Sequence, residues 1–136
     1  MATINKEKLI EIVSNIPKVA KSDNWIFTRD IDEGTMFYSP DPISNETELY
    51  QITDEYALYL DRNLNPKGVV IEYYNNNFME HHPEFKEITI DVFGDQGKEG
   101  EVKIDPSKVA DPKVKYFKSI FENTIIAEAI MEPISE

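Results

Sequence analysis

The stretch "LDRNLNPKGVVIEYY", residues 60–74, decides the fold, because it admits two readings with different chemistry. One is the start of a calcium loop between two helices; the other is two strands joined by a turn. An EF-hand loop places oxygen ligands at its first, third and fifth positions, glycine at the sixth and a bidentate glutamate at the twelfth. Counted from Asp61, the ligand positions hold Asp61, Asn63, Asn65 and Glu72, but the sixth is Pro66, which cannot make the glycine turn. The flanks "YALYL" (56–60) and "VVIEYY" (69–74) are β-branched and aromatic where a calcium hand needs helices. Asn65-Pro66-Lys67-Gly68 has proline second and glycine fourth, a reverse-turn composition, so a hairpin is expected with its turn there. Of the first reading, only a loose surface calcium site on Asp61, Asn63 and Asn65 survives.

The hairpin pattern extends towards the N-terminus. "WIFTRD" (25–30) and "TMFYS" (35–39) flank the acidic, glycine-containing link "DIDEG", and after the proline interruption "PDPISN" (40–45) strands resume as "ELYQIT" and "YALYLD" around Asp54-Glu55. No helix fits between Asn24 and Tyr74. "NNNFMEHHPEF" (75–85) has no clear period and reads as a loop or a short helix over the sheet. "EITIDVF" (87–93) and "EVKID" (101–105) alternate well enough to be a third hairpin, joined by the glycine-rich, charged link "GDQGKEG", which is expected to be mobile.

Helices are expected at both ends. Asn5 is a candidate N-cap, Glu7 lies in the first turn, and Leu9, Ile12, Val13 and Ile16 fall on one face; Pro17 should end or kink this helix before Lys21. Asp111-Pro112 opens a longer helix with a stripe of Val114, Phe117, Phe121, Thr124 and Ile125 running towards Ile130. The expectation is therefore an α+β fold over residues 1–136 as one domain. It has a mainly antiparallel sheet of six or seven strands built from hairpins, with an N-terminal and a longer C-terminal helix packed on one face.

The acids of "FTRDIDEGTMFYS" and the strand, turn and Ile-Glu strand of "YALYLDRNLNPKGVVIEYY" together resemble the Domain of Unknown Function 2283 family over residues 25–75. The matching positions are Asp30, Asp32 or Glu33, Met36, Phe37, Tyr38, Leu60, Asp61, Gly68, Ile71 and Glu72; Arg29 and Pro66 depart from the pattern. The resemblance implies a small antiparallel sheet and implies no reaction.

With 40% hydrophobic residues and seven Tyr, seven Phe and one Trp, a chain of 136 residues has enough apolar area to offset chain entropy around one core. Cysteine is absent, which excludes disulfides and thiolate chemistry and fits a reducing, cytoplasmic address. The first residues, "MATINKEKLIEIVSNIPKVAK", contain no continuous apolar run, so neither a signal peptide nor a membrane span is expected. A net charge of -12 disfavours direct contact with nucleic acid or anionic lipid. Nine acids lie between Asp30 and Asp61 with no Lys or Arg among them, so the charge is segregated along the chain.

Chemical motifs are sparse. The two histidines, His81 and His82, are adjacent, so in a strand they point to opposite faces and in a helix they diverge by about 100 degrees. "MEHHPE" offers one His plus Glu80 or Glu84 to a metal but lacks the spacing of a metalloprotease, and both histidines read as exposed and structurally idle. Neither a phosphate-binding loop nor a dinucleotide fingerprint is present, and no cofactor is implied. The expected function is a non-catalytic module that engages a basic protein partner through Asp30, Asp32, Glu33, Asp41, Glu46, Glu48, Asp54 and Glu55. Alternatives are a DNA mimic of the anti-restriction or anti-CRISPR type, and a metal-dependent carboxylate enzyme around Asp30, Asp32, Asp61 and Glu72. A homodimer is compatible with the sequence.

Overall fold

The computed structural model describes residues 4–94 and 100–131. Six strands, β1 (Ile26–Asp30), β2 (Thr35–Ser39), β3 (Glu48–Gln51), β4 (Ala57–Leu60), β5 (Pro66–Ile71) and β6 (Glu101–Ile104), form one antiparallel sheet in the order β3-β4-β5-β2-β1-β6. The helices are α1 (Lys6–Ser14), α2 (Ile16–Ser22), the single turn α3 (Met79–His81), α4 (Glu84–Phe93) and the long α5 (Pro112–Met131). The α+β class, the six strands and the two terminal helical segments follow the expectation from sequence.

The Asn5 side chain caps α1 by accepting from the Lys8 amide at 2.8 Å. Pro17 kinks rather than stops the segment: the chain breaks at Asn15 and restarts as α2, where proline sits in the first turn, and the helix continues past Lys21 to Ser22.

The β4–β5 hairpin forms, but its turn is residues 61–65 and not 65–68. The Asp61 carboxylate organises it by accepting the amides of Asn63 and Asn65, each at 2.9 Å, while Leu64 takes a φ of 63°. Those hydrogen bonds hold the Asp61 carboxyl below its ordinary pKa although burial acts in the opposite direction. The Asp61 oxygen that a calcium ion would need, Oδ1, is thus already committed to two backbone donors, and Oδ2 accepts from the Asn65 side-chain amide at 3.3 Å. Pro66 opens β5 at a register shift against Tyr59 and Leu60, where a missing N–H is tolerated. Gly68 lies within β5. A Cβ there would stand 2.9 Å from the Ser39 Cβ and 3.3 Å from the Tyr59 ring, so glycine is required by close approach and not by a turn.

Residues 87–93 are helical, which corrects the expected third hairpin. Phe85, Thr89 and Phe93 repeat at four-residue spacing on the buried face of α4, and Glu84 and Glu87 occupy its first turn, where acids suit the helix dipole. Residues 95–99 of the expected link lie outside the described residues, and β6 pairs with β1 instead.

The helices cover one face of the sheet. Phe27 stacks on Tyr38 with ring centroids 4.3 Å apart, and Phe117 and Phe121 of α5 meet Phe27 edge-on at 5.0 and 5.3 Å. Two buried hydroxyls tie α5 to the strands: Tyr38 donates to Glu122 at 2.6 Å and Tyr56 donates to the Ile125 carbonyl at 2.7 Å. Arg29 also points to this covered side, where its Nη2 donates to Asn75 at 2.7 Å and its guanidinium lies 5.2 Å from the Tyr74 ring centre. Among the described residues no helix is long and apolar enough to cross a membrane.

Candidate functional site

The other face of the sheet is left uncovered by the helices, and strand alternation decides what it displays. Because Phe27, Arg29, Met36, Tyr38, Val69 and Ile71 face the helices, their neighbours Thr28, Asp30, Thr35, Phe37, Val70 and Glu72 face outwards. The strand pairing sets Glu101, Asp30, Thr35 and Glu72 in one row across β6, β1, β2 and the end of β5, with adjacent strands about 4.8 Å apart. Beside that row Phe37, Tyr59 and Val70 floor a groove of about 340 Å³, rimmed by Asp30, Glu33 and Glu72 and flanked by Tyr73. Among the described residues no lysine or arginine nitrogen lies within 4.0 Å of those three rim carboxylates. The site is an aromatic floor with an acidic rim that no described lysine or arginine compensates.

The acids singled out from sequence divide into groups rather than sharing one face. Asp30 and Glu33 reach the groove. Asp32, in the β1–β2 turn, accepts from the Gly100 amide at 3.2 Å and so fastens β6 to that turn. Asp41 is paired with Lys103 at 2.9 Å, an interaction that raises the Lys103 pKa. Glu46 lies in the loop before β3, Glu48 on the edge strand β3 itself, and Asp54 in the exposed β3–β4 turn. Glu55, the last of the set, turns into the protein. Asp61 is engaged within its own turn, so the four-carboxylate cluster of Asp30, Asp32, Asp61 and Glu72 does not assemble as a ligand set.

Glu55 instead meets both histidines, which the sequence reading left idle. His81 Nδ1 bonds its Oε2, and His82 Nε2 lies 2.8 Å from its Oε1 and 3.0 Å from Oε2 of Glu128, near the end of α5. Divergence of adjacent histidines does not keep them apart, because one carboxylate presents an oxygen to each. Thr53 completes the cluster, donating to Glu128 Oε1 at 2.6 Å. Burial, reinforced by the hydrogen bond with Glu55, pushes the Glu128 carboxyl up to about 7. Burial would also raise Glu55, but hydrogen bonds from Glu128, His81 and His82 outweigh it and leave its carboxyl below the ordinary value.

No family profile, curated protein or solved structure matches the chain.

Glu55, His82 and Glu128 are separated by 27 and 46 residues, which no local motif spans. One signal was available: Glu122 and Glu128 fall on the apolar stripe of α5, among Phe121, Ile125 and Ala129, and an acid on a buried stripe needs a partner. A further groove, of about 610 Å³, runs past Trp25, Lys21, Lys115 and Lys118, and Lys118 is paired there with Glu122 at 3.2 Å.

Proposed function

We propose that this chain is a non-catalytic binding module that engages a basic protein segment through the uncovered face of its sheet. The observation that carries the reading is the groove floored by Phe37, Tyr59 and Val70 and rimmed by Asp30, Glu33 and Glu72, with no described lysine or arginine neutralising the rim. Its chemistry fits a segment bearing lysine or arginine. The aliphatic stem or guanidinium plane of such a residue packs on aromatic rings while its charge meets carboxylates. The net charge of -12 steers a basic partner towards the molecule and repels nucleic acid itself. A nucleic-acid-binding protein is one partner of this chemistry, and competition between the chain and nucleic acid for it would make the chain a DNA mimic.

The test uses a labelled arginine- and lysine-rich peptide of defined sequence, titrated by fluorescence anisotropy at low and at physiological salt. Binding to the wild-type chain is expected to weaken as salt rises. Reversal of the rim charges, Asp30→Lys with Glu72→Lys, should weaken it about ten-fold at low salt, since each exposed pair contributes up to about 1 kcal/mol. Reversal of Glu46 and Glu48 should cost less. Equal losses from both pairs of substitutions would refute the groove as the recognition site.

A further inference from the structure

We propose that Glu55, His82 and Glu128 form a binding site for a divalent cation of the zinc class, separate from the groove on the sheet. The three residues come from the β3–β4 turn, the residue after α3 and the last turns of α5, and each presents one ligand atom within 4.8 Å of the other two. Among the described residues no other group of three meets that geometry. Donors about 2.0–2.1 Å from a tetrahedral zinc ion stand about 3.3–3.4 Å from one another. The His82 Nε2 separations of 2.8 Å to Glu55 and 3.0 Å to Glu128 therefore need to open by about 0.3–0.6 Å to admit the ion.

Hydrogen bonding alone serves this junction poorly. An imidazole Nε2 carries at most one hydrogen, yet two carboxylate oxygens face it. Two carboxylates brought together out of water need a proton or a cation between them. A dication satisfies both oxygens and the ring nitrogen at once.

The surroundings aim the ligand atoms. Thr53 Oγ1 accepts the amides of Glu55 and Tyr56 at 3.1 and 3.3 Å, which commits its own hydrogen to Glu128 Oε1 and leaves Glu128 Oε2 for the junction. The His82 ring lies against Phe78 with centroids 4.5 Å apart, and its Nδ1 is 4.0 Å from a Glu84 oxygen, close enough for charge attraction but beyond hydrogen-bond distance. The Glu55 and Glu128 side chains are only 7% and 6% exposed, whereas His82 is 21% and His81 63% exposed, so the site is reached from the histidine side. His81 holds the second oxygen of Glu55 and orients that carboxylate. Imidazole with carboxylate suits zinc, whereas calcium takes six to eight oxygen ligands that this cluster does not offer.

The test loads the full chain, freed of metal by chelation, with zinc in competition with a chromophoric chelator, and with cobalt(II) for its absorption spectrum. One equivalent of zinc should bind and raise the melting temperature, cobalt should give the intense visible bands of a tetrahedral site, and calcium should have no effect. Thr53→Val, which removes the hydroxyl that orients Glu128 and accepts the Glu55 and Tyr56 amides, should weaken zinc binding about ten- to a hundred-fold. His82→Gln and Glu128→Gln should weaken it at least as much, with folding checked by circular dichroism; Glu128→Gln can keep the Thr53 contact. The proposal is overturned if the wild-type chain yields no tetrahedral cobalt spectrum, a result that depends on no variant. It is overturned equally if folded Glu128→Gln takes up zinc as tightly as the wild type.

Discussion

Gly68 has no freedom to carry a side chain. Alanine there would press its Cβ against Ser39 at 2.9 Å and the Tyr59 ring at 3.3 Å, so Gly68→Ala should destabilise the fold by about 1–3 kcal/mol and lift Tyr59 from the groove floor. Thermal melting with a tyrosine-specific probe measures both effects, and an unchanged melting temperature would contradict the close approach. Tyr38 is a second such position: Tyr38→Phe leaves the buried Glu122 carboxylate without its hydroxyl donor and should cost about 1–3 kcal/mol by urea unfolding. Glycine in a sequence is legible as a special position, but not which demand it meets. The sequence reading placed Gly68 in a turn because turn and close approach both select glycine, and only the cross-strand neighbours Ser39 and Tyr59 separate the two. The turn itself depends on Asp61 accepting two amides, which the run Asp61 to Asn65 suggests only after the strand start at Pro66 is known.

At the scale of elements, α4 carries the clearest lesson. "EITIDVF" satisfies a two-residue period when read alone, whereas the pattern starting at Phe85 satisfies a helical one, and the two differ by where the window begins. Packing against α5 decides in favour of the helix, through contacts such as Phe93 with Phe117 at 5.2 Å. Ile90→Pro tests the assignment. In the interior of α4 it should cost about 3 kcal/mol or more, whereas at an exposed strand position the loss would be small. The strands of 25–74 were legible because aromatic and β-branched alternation is local, and α1 and α5 because their caps and apolar stripes are. The pairing of β6 with β1 joins residues more than 70 positions apart and leaves no local trace. The same reason hid the cluster of Glu55, His82 and Glu128.

Across the whole molecule, three buried tyrosines link the fold to pH. Burial raises the pKa of Tyr38, Tyr56 and Tyr74 well above the ordinary tyrosine value of about 10. In the native chain these hydroxyls hold protons that the unfolded chain releases sooner. Their contribution to stability is therefore complete below about pH 10 and declines as pH rises above it. A titration at 295 nm should show their ionisation coinciding with loss of circular dichroism, and a smooth ionisation of all seven tyrosines in folded protein would contradict their burial. The charge is likewise a property of the whole molecule. The acids of residues 30–61 do not form one continuous field, since Asp41 is paired, Asp61 is engaged in its turn and Glu55 points inwards, while Asp30 and Glu33 join Glu72 around an aromatic floor. Recognition of a basic segment there is tested most directly by following backbone amide resonances during titration with an arginine- and lysine-rich peptide. Shifts centred on Thr35, Phe37, Tyr59, Val70 and Glu72 are the predicted result; shifts confined to the Glu46–Glu48 edge, or none at all, would contradict it.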